Sequence, residues 1–594
     1  MKQFLVTLAG VFCGLLLFFV GLPLLIVSLA ASASRPAAAP TATVLSLDLR
    51  QTLSDQSPNT PLAFLNGRTL SVLSVVETLS RAADDPSVKG LLVRLPEGGL
   101  PPAQADELRL ALKGFRHSGK LAIAYSQGIY PSGVSTATYM LGAAADQFWM
   151  QPGASLQSTG LTAEDLFLKG FFDKYGVTAD FQQREQYKNA VNPLLYTDYT
   201  PAHREAELGW MTSVYDTELT TAAKDRGLDP AAVKADLAAG PYSAEDAKAK
   251  RLIDQVGELP AAVATLGARA GQGAKLMDLA SYRATRHAAV PGGGPALALI
   301  GAEGDIVTGT AEDQGLTSAK AGIYSDDVAK AFAEAVADDQ VKAIVFRVSS
   351  PGGSDTASEQ IASAVRAAQA AHKPVVVSMG TYAASGGYWI SAGADEIVAE
   401  PTTLTGSIGV FGGKIVFGPA LARFGLNLRD LTVGGDFAGA YGSAEPFTPA
   451  QRATVSAWMD RIYQGFIAHV AQGRRLPVTR VAEIAKGRVW TGAQAQQLGL
   501  VDKLGGLALA VAEAKRLARL SPDTAVVLKT TPSHRSPFDM LQRMAGLGGA
   551  SAESFMAAAQ VLGDPKARAV MDELARARLQ ADGQAAVLAP MPIR

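Results

Sequence analysis

An α/β architecture, written twice and preceded by one membrane-spanning helix, is what this sequence predicts. Three observations predict it. The first 33 residues hold a long uncharged apolar run; the chain beyond residue 43 matches itself at a nearly constant spacing; and each copy alternates short Val/Ile/Leu runs with Ala-rich helical stretches. Continuous apolar strands separated by helices are the mark of a sheet buried on both faces. At 594 residues the chain also exceeds what one hydrophobic core supports.

The amino-terminal run comes first. No charged residue lies between Lys2 and Arg35, and Phe4 to Ala31 is almost continuously apolar, with Pro23 as its one kink point. That exceeds the ~20 residues needed to span a bilayer, and it is longer than the ~7–15-residue apolar region of a cleavable signal peptide. Ala31-Ser32-Ala33 nevertheless offers a small-residue cleavage pattern. The length favours an uncleaved signal anchor over residues 1–33, with Lys2 on the cytoplasmic side and the remainder outside the inner membrane. Residues 34–42, rich in Ala, Pro and Thr, read as a linker.

The repeat follows. Asp85, Val88, Lys89 and Arg94 match Asp338, Val341, Lys342 and Arg347 at an offset of 253, and each set leads into an apolar strand ending in a glycine pair, Gly98-Gly99 or Gly352-Gly353. Lys120 matches Lys373, Asp146 matches Asp395, and Thr200-Pro-Ala matches Thr448-Pro-Ala as the offset drifts to 248. A domain-sized period means two similar units, 43–290 and 296–530, rather than a solenoid. Val290-Pro-Gly-Gly-Gly-Pro295 reads as the hinge between them. Ser325 to Ala337 and Thr356 to Ala371 read as helices, and residues 531–594 as a helical or partly disordered tail.

Composition excludes some functions. The chain is 48% hydrophobic and 18% charged with a net charge of −1 and no basic cluster, which argues against a nucleic-acid partner. Cys13 is the only cysteine, so there is no intramolecular disulfide and no cysteine-based metal site.

The copies differ where chemistry is expected. Lys373 to Asp395 reads as a buried strand (Val375 to Val377), a small-residue loop and a helix entered through Gly386 and Gly387, with Ser385 at the turn. Such a turn exposes a hydroxyl beside unpaired backbone N–H groups. The equivalent of Ser385 in the first copy is Thr136, and the glycine loop Ser349-Ser-Pro-Gly-Gly353 faces Leu95-Pro-Glu-Gly-Gly99. The first copy alone holds Glu185-Gln-Tyr-Lys-Asn-Ala-Val-Asn-Pro193. A serine nucleophile needs a base. None of the six histidines but His372 lies near a glycine turn, and His372 precedes a strand; all six read as surface or capping residues. A lysine serves only if burial lowers its pKa, and Tyr187, Ala190, Val191 and Pro193 offer Lys188 apolar neighbours.

Arg347-Val-Ser-Ser-Pro-Gly-Gly-Ser, Ser378 to Ile390, Leu404-Thr-Gly-Ser-Ile-Gly-Val and Tyr187-Lys-Asn-Ala-Val-Asn-Pro together resemble the long, duplicated signal peptide peptidase A (protease IV) family of Ser–Lys peptidases. The resemblance covers the anchor and both halves up to about residue 530. It implies a Clp-protease/crotonase-like fold in each half and a single-pass protein of the bacterial inner membrane facing the periplasm. It also implies an endopeptidase that degrades remnant signal peptides and other apolar peptides, without metal or organic cofactor, as a homo-tetramer. By motif, Ser385 is the nucleophile, Lys188 the general base, and Ser407 the residue that orients the lysine; Gly386 and either Gly352 or Gly353 supply the oxyanion-hole N–H groups. Ser158 stands opposite Ser407, so that serine alone distinguishes nothing. Two other readings compete: an acyl-thioester enzyme on the crotonase fold, which needs no nucleophilic serine, and a catalytically silent membrane scaffold.

Overall fold

The computed structural model describes residues 42–56, 70–271, 273–285, 294–311 and 322–531, the strand Ala586–Leu588 and, in the amino-terminal run, Gly10 and Gly14. The expected anchor over 1–33, most of the Val290–Pro295 hinge and nearly all of the tail lie outside the described residues. Among the described residues, no helix is long and apolar enough to cross a membrane.

The first half runs β1 (Thr43–Asp48), α1 (Val72–Asp84), β2 (Val88–Arg94), α2 (Pro102–His117), β3 (Leu121–Ser126), α3 (Ser135–Ala143), β4 (Gln147–Met150), β5 (Thr178–Arg184), α4 (Pro201–Arg226), β6 (Gln255–Val256), α5 (Leu259–Ala270) and β7 (Lys275–Asp278). Its sheet has the order β6-β4-β3-β2-β1-β7, parallel throughout.

The second half runs β8 (Ala296–Glu303), β9 (Asp305–Val307), α6 (Ser325–Ala337), β10 (Val341–Ser350), β11 (Gly352–Ser354), α7 (Asp355–Ala370), β12 (Val375–Ala384), α8 (Gly386–Ala392), β13 (Glu396–Ala399), β14 (Leu404–Gly406) and β15 (Val410–Val416). It continues through α9 (Pro449–Arg474), β16 (Val489–Thr491), β17 (Lys503–Leu504), α10 (Leu507–Leu517) and β18 (Val527–Thr531). Its sheet repeats the same order, β17-β13-β12-β10-β8-β18, again parallel, with β14 and β16 added beside the far end of β12. Even the register is kept: Arg94 pairs with Tyr125, and Arg347 with Ser378, at the same offset of 253.

The repeated residues are the ones that pin this frame. Thr200 and Thr448 cap α4 and α9 with their hydroxyls, and the proline that follows each takes the first helical position, where a missing N–H costs nothing. Asp146 and Asp395 accept from the first strand N–H groups, Ala122 and Val375. Lys120 and Lys373 each donate to carbonyls where the neighbouring strand begins, Lys120 to Ala82, Ala83 and Asp85 ahead of β2 and Lys373 to Asp338 and Val341 at the start of β10. The helices expected over 325–337 and 356–371 form as Ser325–Ala337 and Asp355–Ala370.

Each half has its own large apolar core, and the contacts that join the halves include two extended sets. The first is an antiparallel ribbon in which β5 of the first half pairs with β15 of the second, from Thr178↔Val416 to Arg184↔Val410. Asp180 reinforces it, paired with Arg452 and accepting from Phe447 N–H. The second is a buried ion cluster. Arg347, 1% exposed, donates to Asp55 at 2.6 and 2.9 Å and to Glu107 at 2.9 Å, both from the first half. It also donates to Ser378 Oγ on β12. Burial opposes its charge, but the two carboxylates outweigh that and raise its pKa. Around it, desolvation holds Asp106 up to about 6 and Glu303 up to about 7.

Candidate active site

Strand β12 is longer than the sequence suggests. The stretch after Val377 is strand as far as Ala384, and no small-residue loop intervenes before Ser385. The small residues of this segment reflect packing: Gly380 lies against the Asp55 carboxyl, and all but Tyr382 of Val375–Ala384 are buried. Strand passes directly into helix at Ser385, whose φ of 59° and ψ of −120° are outside the conformations a serine ordinarily adopts. Such backbone strain costs about 1–3 kcal/mol and persists only when the surroundings hold it. Here they do. Ser385 N–H donates to Gly406 O at 2.8 Å, and the first helical residues leave no room for side chains. A Cβ on Gly386 would sit 2.7 Å from Ser358 Oγ, and one on Gly387 2.6 Å from Ser350 O.

Lys188 arrives from the other half. Just past β5, its segment lies against two adjacent glycines of the second half: Arg184 O faces Gly409, and Lys188 faces Gly487. Gly487, at φ 77°, comes so close that an added Cβ would lie 2.6 Å from Lys188 N and Cβ. Tyr187 N–H donates to Lys486 O at 3.1 Å, and Arg488 covers the Tyr187 ring and pairs with Glu205. Part of the covering of Lys188 therefore comes from the second half. The expected apolar neighbour Tyr187 turns outward, its hydroxyl on the exposed Glu205, because Arg488 holds its ring there.

Lys188 Nζ lies 2.7 Å from Ser385 Oγ and 3.0 Å from both the carbonyl and the hydroxyl oxygens of Ser407. The lysine is 1% exposed, and both serines are completely buried. Loss of hydration drives the lysine pKa well below its usual value, with no charge contribution opposing it. A neutral amine has two N–H groups and one lone pair. Two acceptors on Ser407 take the N–H groups, which turns the lone pair toward Ser385. Ser407 is held by its own N–H donating to Arg488 O at 2.7 Å.

The glycine loop completes the surroundings. Gly352 N–H donates to Ser350 Oγ at 3.1 Å, whereas Gly353 N lies 3.1 Å from the Cβ position of Gly386. The structure thus brings together all six residues singled out in the sequence: Ser385, Lys188, Ser407, Gly386, Gly352 and Gly353. It also adds some that sequence reasoning missed. Gly487 and Arg488 shape the lysine's approach, and nothing in the sequence pointed to them. Arg347 was visible as a charge in the middle of an apolar strand, but its partners Asp55 and Glu107 were not.

A further expectation needs correction. His203 is buried, not a surface residue, its ring beside those of Tyr199 and Phe167, and desolvation lowers its pKa. Thr136, the counterpart of Ser385, lies inside the first turn of α3, a helix that starts at Ser135 after Val134 at φ −89°, so the first copy has no strained turn at this point.

With this geometry in view, comparison with known proteins decides the family. The model of peptidase family S49 matches residues 115–273 and 367–521, one stretch in each half. This chain belongs to peptidase family S49. It is 31% identical to Protease 4 of Haemophilus influenzae over 87% of this chain and 85% of that protein. It is 32% identical to Protease 4 of Salmonella typhi (76% and 72% covered), and 30% identical to the chloroplastic serine protease SPPA of Arabidopsis thaliana (82% and 70%). The chain is accordingly an S49 serine protease, a hydrolase, and its two α/β halves fit tandem Clp-like domains. Neither rival reading, the acyl-thioester enzyme or the silent scaffold, accounts for these relatives.

Proposed function

We propose that this S49 protease cleaves peptides through a Ser–Lys dyad shared between its halves, with Ser385 as nucleophile, Lys188 as general base and Ser407 as the residue that orients the lysine. One observation carries the reading: a buried lysine, with no carboxylate partner among the described residues, lies 2.7 Å from a serine held at a strained turn. Neutral Lys188 takes the Ser385 proton as Oγ attacks the peptide carbonyl carbon. The oxyanion receives the N–H groups of Gly386 and Gly353; the engagement of Gly352 N–H by Ser350 favours Gly353 over its neighbour. Each such donor contributes about 3–4 kcal/mol. The ammonium of Lys188 then protonates the leaving amine, and water, deprotonated by the same lysine, hydrolyses the acyl-enzyme.

The substrate class proposed is remnant signal peptides and other apolar peptides, met at the inner membrane with residues 1–33 as anchor and the catalytic halves 43–290 and 296–530 on the periplasmic side. A homo-tetramer is proposed as well, and the duplication supports a head-to-tail assembly. Residues 161–167 are the counterpart of β15 and residues 427–433 that of β5. Neither is a strand, and neither has a strand partner among the described residues. Leu431 and Val433 are fully exposed, and Leu166 largely so. A second copy of the chain could pair these two stretches as β5 and β15 pair within one chain.

The test is turnover of an uncharged peptide by Ser385→Ala and Lys188→Ala in the full chain. Each is expected to lose at least ~10³-fold in kcat with folding retained. Substantial activity in either variant would sink the dyad. Labelling of Ser385 by a serine-directed electrophile should rise with pH in the parent and vanish in Lys188→Ala.

A further inference from the structure

One tripeptide, Lys486-Gly487-Arg488, leads into β16 and holds both the lysine and the serine that orients it. Lys486 O accepts from Tyr187 N–H, Gly487 N–H donates to Ile408 O at 2.9 Å, and Arg488 O accepts from Ser407 N–H. Its backbone thus joins the Lys188 segment of the first half to the Ser407 segment of the second. The Arg488 side chain ties the same seam from outside. Its guanidinium lies over two rings, 4.9 Å from the centroid of Tyr187 and 4.6 Å from that of Trp490. It pairs with Glu205 of α4 at 2.5 Å, and the Tyr187 hydroxyl donates to the other oxygen of that carboxylate at 2.9 Å. Arg488, Tyr187 and Glu205 therefore close a clamp across the two halves, and Tyr187 is the immediate neighbour of Lys188.

The duplication separates this clamp from the frame. At the offset of 248, Gly240 stands opposite Arg488 and Ala453 opposite Glu205, whereas Tyr242 still answers Trp490. Tyr187 belongs to the segment that the first copy alone holds. Arg488 and Glu205, like Ser385 and Lys188, stand where the copies stop matching. Glu205 is half exposed, so its ion pair adds little to stability. What the pair does supply is geometry. A planar guanidinium stacked on rings and bonded to a carboxylate is a rigid connection, and a base 2.7 Å from its nucleophile depends on rigidity.

We propose that Arg488 is a positioning residue: through Tyr187 and Glu205 its guanidinium fixes the backbone at Lys188, and with it the distance from the amine to Ser385. The proposal rests on Lys188 as the base, and the experiment separates the two. Arg488→Ala keeps the main-chain bond to Ser407 and removes only the clamp. In the full chain, with an apolar peptide as substrate, kcat is expected to fall about 10–10²-fold while KM stays within about twofold of the parent. The denaturant midpoint should hardly move. A freed segment admits water to the amine, so the acid limb of kcat should shift to higher pH as the lysine regains hydration. Glu205 is held below the usual carboxylate range, first by Arg488 and then by Tyr187, so it stays ionised across that limb and does not produce it.

Glu205→Gln, a change at an exposed position, guards against a folding defect and should lower kcat about threefold with the same shift in pH. In Arg488→Ala/Tyr187→Leu the loss should not exceed that of the larger single variant, because both act through one clamp. An amine-directed reagent, its site located by peptide mass, should modify Lys188 roughly tenfold faster in Arg488→Ala than in the parent, whether or not the lysine is the base. Unchanged kcat, acid limb and labelling in Arg488→Ala overturn the proposal. So does a loss of kcat matched by an equal loss of titratable Ser385, since the variant would then only contain fewer folded molecules. Losses that multiply in the double variant also overturn it. Parental turnover by Lys188→Ala would instead refute the base, and the labelling rate would still judge the clamp.

Discussion

The two halves share a sheet order, a register and a set of pinning residues, yet only one holds a strained serine. At Ser385 the strand passes into α8 through a positive φ, and the hydroxyl meets a lysine. At Thr136 the chain is already helical, and the hydroxyl donates to Glu218, a buried carboxyl whose pKa desolvation raises well above the usual range. The frame is thus independent of the chemistry. A duplicated scaffold can give up one nucleophile turn and keep its fold, because the turn is a strained addition to the frame and not one of its supports. The same contrast divides the two strand arginines. Arg347 is buried between carboxylates of the other half, while Arg94 is partly exposed, 3.6 Å from Asp48.

Four measurements would break or sharpen this contrast. The largest effect is expected at the arginines. Arg347→Met leaves Asp55 and Glu107 buried without their cation and should destabilise by about 3–5 kcal/mol. Arg94→Met should cost no more than ~1 kcal/mol. Denaturant midpoints compare them, and equal costs would mean that the inter-half cluster carries no special weight. Next is the lysine's approach. Gly487→Ala puts a methyl against the Lys188 backbone and forces the segment outward; a displacement near 1 Å should lower kcat about 10²-fold. An unchanged kcat would show that the lysine's position tolerates movement of its backbone.

The third concerns pH. Burial lowers the Lys188 pKa, so turnover should rise about tenfold per pH unit below that pKa and level off above it. The unfolded lysine titrates near ~10.4. Between the two values the unfolded chain binds the extra proton, so stability should rise with pH through that window. The contribution is fully present above the unfolded pKa and lost as pH falls through the folded one. Lys188→Met should flatten this dependence, measured by denaturant midpoints across the window; a slope identical to the parent's would mean that Lys188 is charged when buried. The smallest effect is expected from Thr136→Ser. Restoring the hydroxyl type without the strained turn or a lysine should leave peptide turnover unchanged, and activity surviving in Thr136→Ser/Ser385→Ala would contradict the contrast directly.

By itself, the sequence determined a great deal about this protein. The repeat, the α/β alternation and the helices at 325–337 and 356–371 were legible because strand and helix periodicities are local, and because the pinning residues Lys120, Asp146 and Thr200 recur with their partners. The candidate residues were legible for the opposite reason: Ser385 and Lys188 stand where the copies stop matching. Their meeting was not legible. They are 197 positions apart, and no local pattern states that β5 pairs with β15 or that Gly487 lets the lysine's backbone approach closely. Nor could the sequence say how deeply Lys188 is buried, which is what lowers its pKa, since the second half supplies much of the covering. Cross-half strand pairing and the Arg347 cluster are long-range contacts. Only tertiary structure decides these, because each depends on surfaces that exist once both halves have folded.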